Sequence, residues 1–135
     1  MQEGECEGIT LGENLITLNL LKGTEYFPRM GNSILFLEDD FYKMPENIDE
    51  HLEALMLDRH FRNVRGIVFG RFQQESKMDR QILAEIIFSK SELRGLPILG
   101  NVDFGHTEPK FTFPCGGRVK MKASKQASFI HFLQH

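Results

Sequence analysis

Two positions in this 135-residue sequence bear side chains suited to moving a proton. The first is Glu38, which closes the apolar run Ser33-Ile-Leu-Phe-Leu37. A continuous apolar run of that kind is typical of a buried strand. In α/β folds, ligands and catalytic groups gather just beyond strand ends, where loops vary while the sheet stays rigid. A carboxylate in that place can orient a histidine. The second is His106, in Gly105-His106-Thr107. Glycine before it allows a sharp turn and close approach by another group. Pro109, after Thr107 and Glu108, disfavours helix and keeps the loop extended. An imidazole on such a loop can serve as general base. On residue type alone, an acid at a strand end is more often a solvated terminus, and a lone loop histidine more often plain surface.

The other chemistry-bearing residues point nowhere so definite. His51, His60, His131 and His135 form no cluster at zinc-ligand spacing. Asp39 and Asp40 can hold a divalent ion together with Glu38, or simply start a loop. Cys115 follows His106 closely enough for a Cys–His nucleophilic pair, but reads better as a small buried hydrophobe between Pro114 and Gly116-Gly117. There is no Walker motif, dinucleotide fingerprint or G-x-S-x-G elbow. No metal or organic cofactor is implied.

Those two residues must be positioned by the elements between them. Residues 1–12 are polar and glycine-containing and read as a linker or arm, with the domain proper over 13–135. Asn14 can cap a short helix through Leu15, Leu18 and Leu21, stopped by Gly23. After the strand that ends in Glu38, the stretch from Glu46 to Phe61 sets Ile48, Leu52, Leu55 and Met56 at helical spacing. Val64 to Phe69 is a second strand. Asp79 opens a second helix along Ile82, Leu83, Ile86 and Ile87, with Gly95 as its stop, and Leu96 to Leu99 is a third strand. Strand, helix, strand, helix, strand predicts short parallel strands joined by two crossover helices. The last third differs: a short β-like run at Lys110 to Pro114, then strands at Arg118 to Lys122 and Ser128 to Leu133, read as an antiparallel region. The class is α/β with added antiparallel strands.

Composition sets the outer bounds. Hydrophobic residues make up 41% and charged residues 26%, enough for one core. The formal charge of −3 carries no basic surplus, which argues against nucleic acid as a partner. No apolar run approaches the roughly 20 residues that span a bilayer, so no membrane partner is expected. Met1-Gln-Glu-Gly-Glu-Cys-Glu lacks the pattern of a signal peptide, and two cysteines make no disulfide framework. A cytoplasmic location is the expectation.

Taken in order, several segments resemble a known family. They are Gly12-Glu13-Asn14 with Leu15, Lys22-Gly-Thr24 with Tyr26 and Pro28, and Ile34-Leu-Phe-Leu-Glu-Asp39. Asp49 with its amphipathic helix, Val64-Arg-Gly-Ile-Val-Phe-Gly70 and Pro97-Ile-Leu-Gly-Asn-Val-Asp-Phe-Gly-His-Thr107 follow. Phe111-Thr-Phe-Pro114 and Gly116-Gly117 complete the set. Together they are similar to the C-terminal domain of the LD-carboxypeptidase and microcin C self-immunity serine peptidases. The chain departs from that pattern at Glu13, at Cys115 and at Glu50-His51.

The resemblance implies a swivelling β/β/α domain that supplies Glu38 and His106 to a Ser–His–Glu triad. It places the serine on an N-terminal nucleophile domain, which is the expected partner and is absent from this chain, so the chain alone is expected to be inactive. It also implies a homodimer for the full-length protein. The substrate would be a small peptide or peptidyl-nucleotide, cut either at the amide of a microcin C-type antibiotic or at the L,D bond of a murein tetrapeptide. A rival reading is a non-catalytic truncated paralogue that dimerises or binds a partner. A face meant for a partner domain should carry apolar surface, and Phe41, Tyr42 and Phe104 are expected on its rim.

Overall fold

The alternation of apolar runs is realised as a curled six-stranded sheet in the order β4-β3-β2-β1-β5-β6. The computed structural model describes residues 2–40 and 42–134. Its strands are β1 (Gly4–Asn14), β2 (Ser33–Glu38), β3 (Gly66–Gly70), β4 (Ile98–Val102), β5 (Arg118–Ala123) and β6 (Phe129–Gln134). Helices α1 (Leu15–Leu20), α2 (Pro45–Met56) and α3 (Arg80–Ser89) make the crossovers. β1 to β4 pair in parallel, while β5 runs antiparallel to both β1 and β6. The architecture is therefore mixed α/β, with the expected parallel half and antiparallel C-terminal region.

Four expectations need correction. Residues 1–12 are not an arm: all but the first few belong to β1, the strand that joins the parallel and antiparallel halves. Its polar look comes mainly from one face. Glu5 and Glu7 point to solvent and pair with Lys120 and Arg118 of β5, while Cys6 packs beneath with Met121. Consequently α1 is a third crossover helix, between β1 and β2. The helix expected from Glu46 to Phe61 is also shorter than its pattern implied: α2 stops at Met56, and Arg59–Asn63 forms a separate 3-10 turn capped by Asp58. Finally, Lys110 to Pro114 forms no strand, and β4 begins at Ile98 rather than Leu96.

The period-two alternation of β2 feeds two cores. Leu35 and Leu37 face the helices and meet Leu15, Leu18, Leu52, Leu55, Leu83 and Ile87. Ile34 and Phe36 face the other way, toward Val68, Leu99, Phe104, Val119 and Met121. Each fully buried Leu, Ile or Phe here is worth roughly 1.5–3 kcal/mol. With both faces covered, the sheet is a rigid base for whatever its strand ends carry.

Candidate active site

β2 ends on the aromatic face with Glu38, whose side chain is only 11% exposed. The next residue points the opposite way. Asp39 is buried and accepts hydrogen bonds from Asn14 Nδ2 (3.0 Å) and from the backbone N–H of Ile16 (3.2 Å). Asn14 in turn caps α1 by accepting from the Thr17 N–H at 3.0 Å. Asp39 therefore ties the end of β2 to the start of α1, leaving Glu38 alone on the other face. The Glu38, Asp39 and Asp40 trio does not converge, and no metal-binding group of three acid, His or Cys side chains occurs among the described residues.

His106 lies on the loop after β4 and comes back over the end of β2. Its Nδ1 is 2.5 Å from Glu38 Oε2, although 68 positions separate the two in sequence. The ring is half exposed while the carboxylate is mostly covered. Two glycines make room for this approach. Gly105 sits at φ +93°, and a Cβ there would fall 2.7 Å from Glu38 Oε2. Gly70, at the end of β3, closes the other side: a Cβ there would lie 2.9 Å from both Glu38 Cβ and the Phe104 carbonyl oxygen. The pair is thus walled by backbone rather than by bulky side chains. Beneath it, Phe104 packs on Phe36 and Phe113 with ring centroids 5.5 Å apart in each case.

Such an arrangement has a definite chemical capability. With Nδ1 committed to the carboxylate, Nε2 is the ring nitrogen left to exchange a proton. A largely covered carboxylate beside it favours one tautomer and one orientation of the ring. The chain's described residues include no serine at this pair; the buried Ser33 and Ser76 bond to the carbonyls of Met30 and Gln73 instead.

The structure brings Glu38 and His106 together and leaves the other candidates apart. His51 bonds to Asn19, and His60 pairs with Asp58 at 2.9 Å. Cys115 is exposed, its sulfur 4.0 Å from the Gly12 carbonyl oxygen, so the buried-hydrophobe reading is corrected. Of the rim candidates, Tyr42 is exposed as expected, while Phe104 is buried at 3% because it floors the site. Phe41 and His135 lie outside the described residues. Sequence reading passed over Arg71 and Asp103, an ion pair at the neck of the His106 loop. Asp103 stands inside the Asn-Val-Asp-Phe-Gly-His motif, but nothing in the sequence marks Arg71 as its partner.

The fold is thus a parallel sheet extended by antiparallel strands, with an acid–imidazole pair at its strand ends. Residues 7–121 match the LD-carboxypeptidase C-terminal domain family, and the chain belongs to it. It is 42% identical to Bacillus subtilis YocD over 135 residues, all of this chain and 42% of that protein. A crystal structure of an MccF-like protein from Bacillus anthracis superposes with a TM-score of 0.96 at 42% identity, covering 99% of this chain and 42% of that one. A muramoyltetrapeptide carboxypeptidase from Oxalobacter formigenes gives a TM-score of 0.79 at 25% identity, over 96% of this chain and 46% of that one. The microcin C7 self-immunity protein MccF, in complex with glutamyl sulfamoyl guanosine, gives 0.71 at 30% identity, over 89% of this chain and 36% of that one. The chain thus spans about two fifths of the length of the curated relatives it matches. Among the described residues no helix is long and apolar enough to cross a membrane.

Proposed function

We propose that Glu38 and His106 are the acid and base of a Ser–His–Glu triad whose serine comes from an N-terminal domain of the same protein. The 2.5 Å contact between His106 Nδ1 and Glu38 Oε2 carries this reading, because a base must be oriented before it can act. In the assembled enzyme the serine hydroxyl gives its proton to Nε2 as the oxygen attacks an amide carbonyl. Glu38 holds the imidazolium so formed. The tetrahedral intermediate then collapses, and the same nitrogen returns the proton to the leaving amine. Water repeats the sequence on the acyl-enzyme. No step requires a metal or an organic cofactor.

The substrate is a small peptide-like amide. The family and the relatives support two versions, the L,D bond of a muramoyl tetrapeptide and the amide of an aminoacyl nucleotide of the microcin type. The chain by itself, without the nucleophile, is inactive on both. The decisive measurement is turnover of both substrates by the full-length protein and its Glu38→Gln and His106→Gln variants. Glu38→Gln keeps the shape but favours the wrong tautomer, so kcat should fall by about 10³–10⁴ while the fold persists. Full activity in either variant would remove the mechanism.

A further inference from the structure

We infer that Arg71 is a positioning residue that holds the His106 loop in register with Glu38, an inference that rests on the general-base reading of His106. Arg71 directly follows the last residue of β3, and its backbone N–H donates to the carbonyl of Val102, the last residue of β4, at 3.0 Å. Its guanidinium then grips the loop at both ends. Nη2 pairs with the Asp103 carboxylate where the loop leaves β4. Nη1 donates to the Glu108 carbonyl oxygen at 3.2 Å, two residues beyond His106. One side chain thus spans the neck of a loop whose middle carries the base.

The loop needs such a brace. Among the described residues, Gly105, His106 and Thr107 form no backbone–backbone hydrogen bond. Phe104 N–H to Val102 O (2.8 Å) and Phe111 N–H to Asp103 O (2.9 Å) fix the neck from below but do not reach the segment with the ring. Arginine suits the task because its planar fork can satisfy two acceptors at once, whereas a lysine offers one compact head. Position also explains why β3 matters to both partners. Gly70 forms a wall of the Glu38 pocket, and Arg71 beside it straps the histidine. The last residue of a rigid strand and the residue after it therefore set where the acid and the base meet.

Partial exposure makes the brace separable from folding. The Arg71 and Asp103 side chains are 32% and 45% exposed, and surface ion pairs add little to global stability. Misplacing a catalytic group by about 1 Å, by contrast, can cost around a hundredfold in rate. The test is steady-state kinetics of the full-length protein on muramoyl tetrapeptide and on glutamyl sulfamoyl guanosine. Arg71→Met should lower kcat at least about tenfold, with KM changed less than about threefold. Its Tm should shift by less than about 3 °C. Asp103→Asn should lower kcat in the same direction, and the double variant should be no worse than the poorer single one, because both break one device. Arg71→Lys should recover part of the rate.

Unchanged kcat in Arg71→Met, alongside abolished turnover in His106→Gln, would overturn the brace and leave the general-base reading intact. A loss confined to KM would also overturn it, since that marks uniform substrate binding rather than placement. Retained turnover in His106→Gln would instead remove the reading beneath. Should Arg71→Met fail to fold, Arg71→Lys and Asp103→Asn decide by the same division between kcat and KM.

Discussion

The two faces of the sheet are packed by different means. On the helix side, leucines and isoleucines from α1, α2 and α3 meet Leu35, Leu37, Ile67 and Ile98, all within regular elements. On the other side, among the described residues, no helix covers the sheet. Phe104 and Phe113 come from the irregular stretch between β4 and β5, Phe132 from the edge strand, and their rings pack at a tilt around Phe36 at centroid distances of 4.6–6.1 Å. Aromatic rings can cover a sheet from a loop because each buries much area on few torsions. The consequence is functional. The helix face is only a foundation, whereas the aromatic face is continuous with the loop that bears His106, so core and site share residues there.

Matched truncations break that comparison if it is false. Phe104→Ala should cost about 3–5 kcal/mol and Leu52→Ala about 2–5 kcal/mol, since both side chains are almost fully buried. Chemical denaturation of the two variants should give comparable losses. Their catalysis should differ. In the full-length protein assayed well below its melting temperature, Leu52→Ala should leave kcat near the parent value. Phe104→Ala should lower it at least about tenfold, because the residue two before His106 loses its seat. Equal kcat values would mean that the aromatic face is no more coupled to the site than the helix face.

A pair of glycines sharpens the contrast at smaller scale. Gly95 (φ +78°) and Gly105 (φ +93°) both occupy the left-handed region, where any other residue is strained. A Cβ at Gly95 meets nothing within 4 Å, while one at Gly105 meets Glu38 Oε2 at 2.7 Å. Gly95→Ala therefore measures backbone strain alone, about 1–2 kcal/mol, with turnover intact. Gly105→Ala should add to a similar stability loss a fall in kcat, because the carboxylate must retreat from the imidazole. Parallel Tm and kcat measurements separate the two effects, and equal turnover in both variants would detach Gly105 from the site.

The same division governs what could be read from the sequence. β2, α2 and α3 stood out because each is apolar with its own period; the ends of β2 and β4 made Glu38 and His106 candidates, and the family resemblance set them above plain surface residues. β1 was missed because its outward row is Glu5 and Glu7 and its inward row includes glycines, so no apolar alternation shows. Its pairing partners lie on β2 and, far along the chain, on β5, and only the assembled sheet explains its composition. Phe111 and Phe113 looked like a strand because alternating aromatics have that period; their rings instead pack on one another and on Phe104 without ladder partners. Arg71 was silent for a similar reason. A brace is defined by what it spans, and its acceptors at Asp103 and Glu108 are set by folding.

The smallest effect is expected on the helix face, from Lys90. Its side chain is 12% exposed and links α2 to the end of α3, with Nζ 2.5 Å from Asp49 Oδ1 and 3.0 Å from Glu53 Oε2. The hydrogen bond to Asp49 raises the Lys90 pKa above its ordinary value; burial opposes this, and Glu53 adds to the rise. A lysine whose folded pKa is raised contributes stability that is fully present below its unfolded pKa, about 10.4. That contribution is lost as pH climbs through the higher folded value. The carboxylates are 43% and 48% exposed, so water screens the link and it is worth only about 0.5 kcal/mol. Lys90→Met keeps most of the apolar stem while removing the charge. The stability gap between parent and variant should be constant from about pH 6 to 9 and shrink above about pH 10.4, while kcat at neutral pH stays at the parent value. A gap that widens with alkali would reverse the sign of the linkage, and a drop in kcat would show that the helix face reaches the site after all.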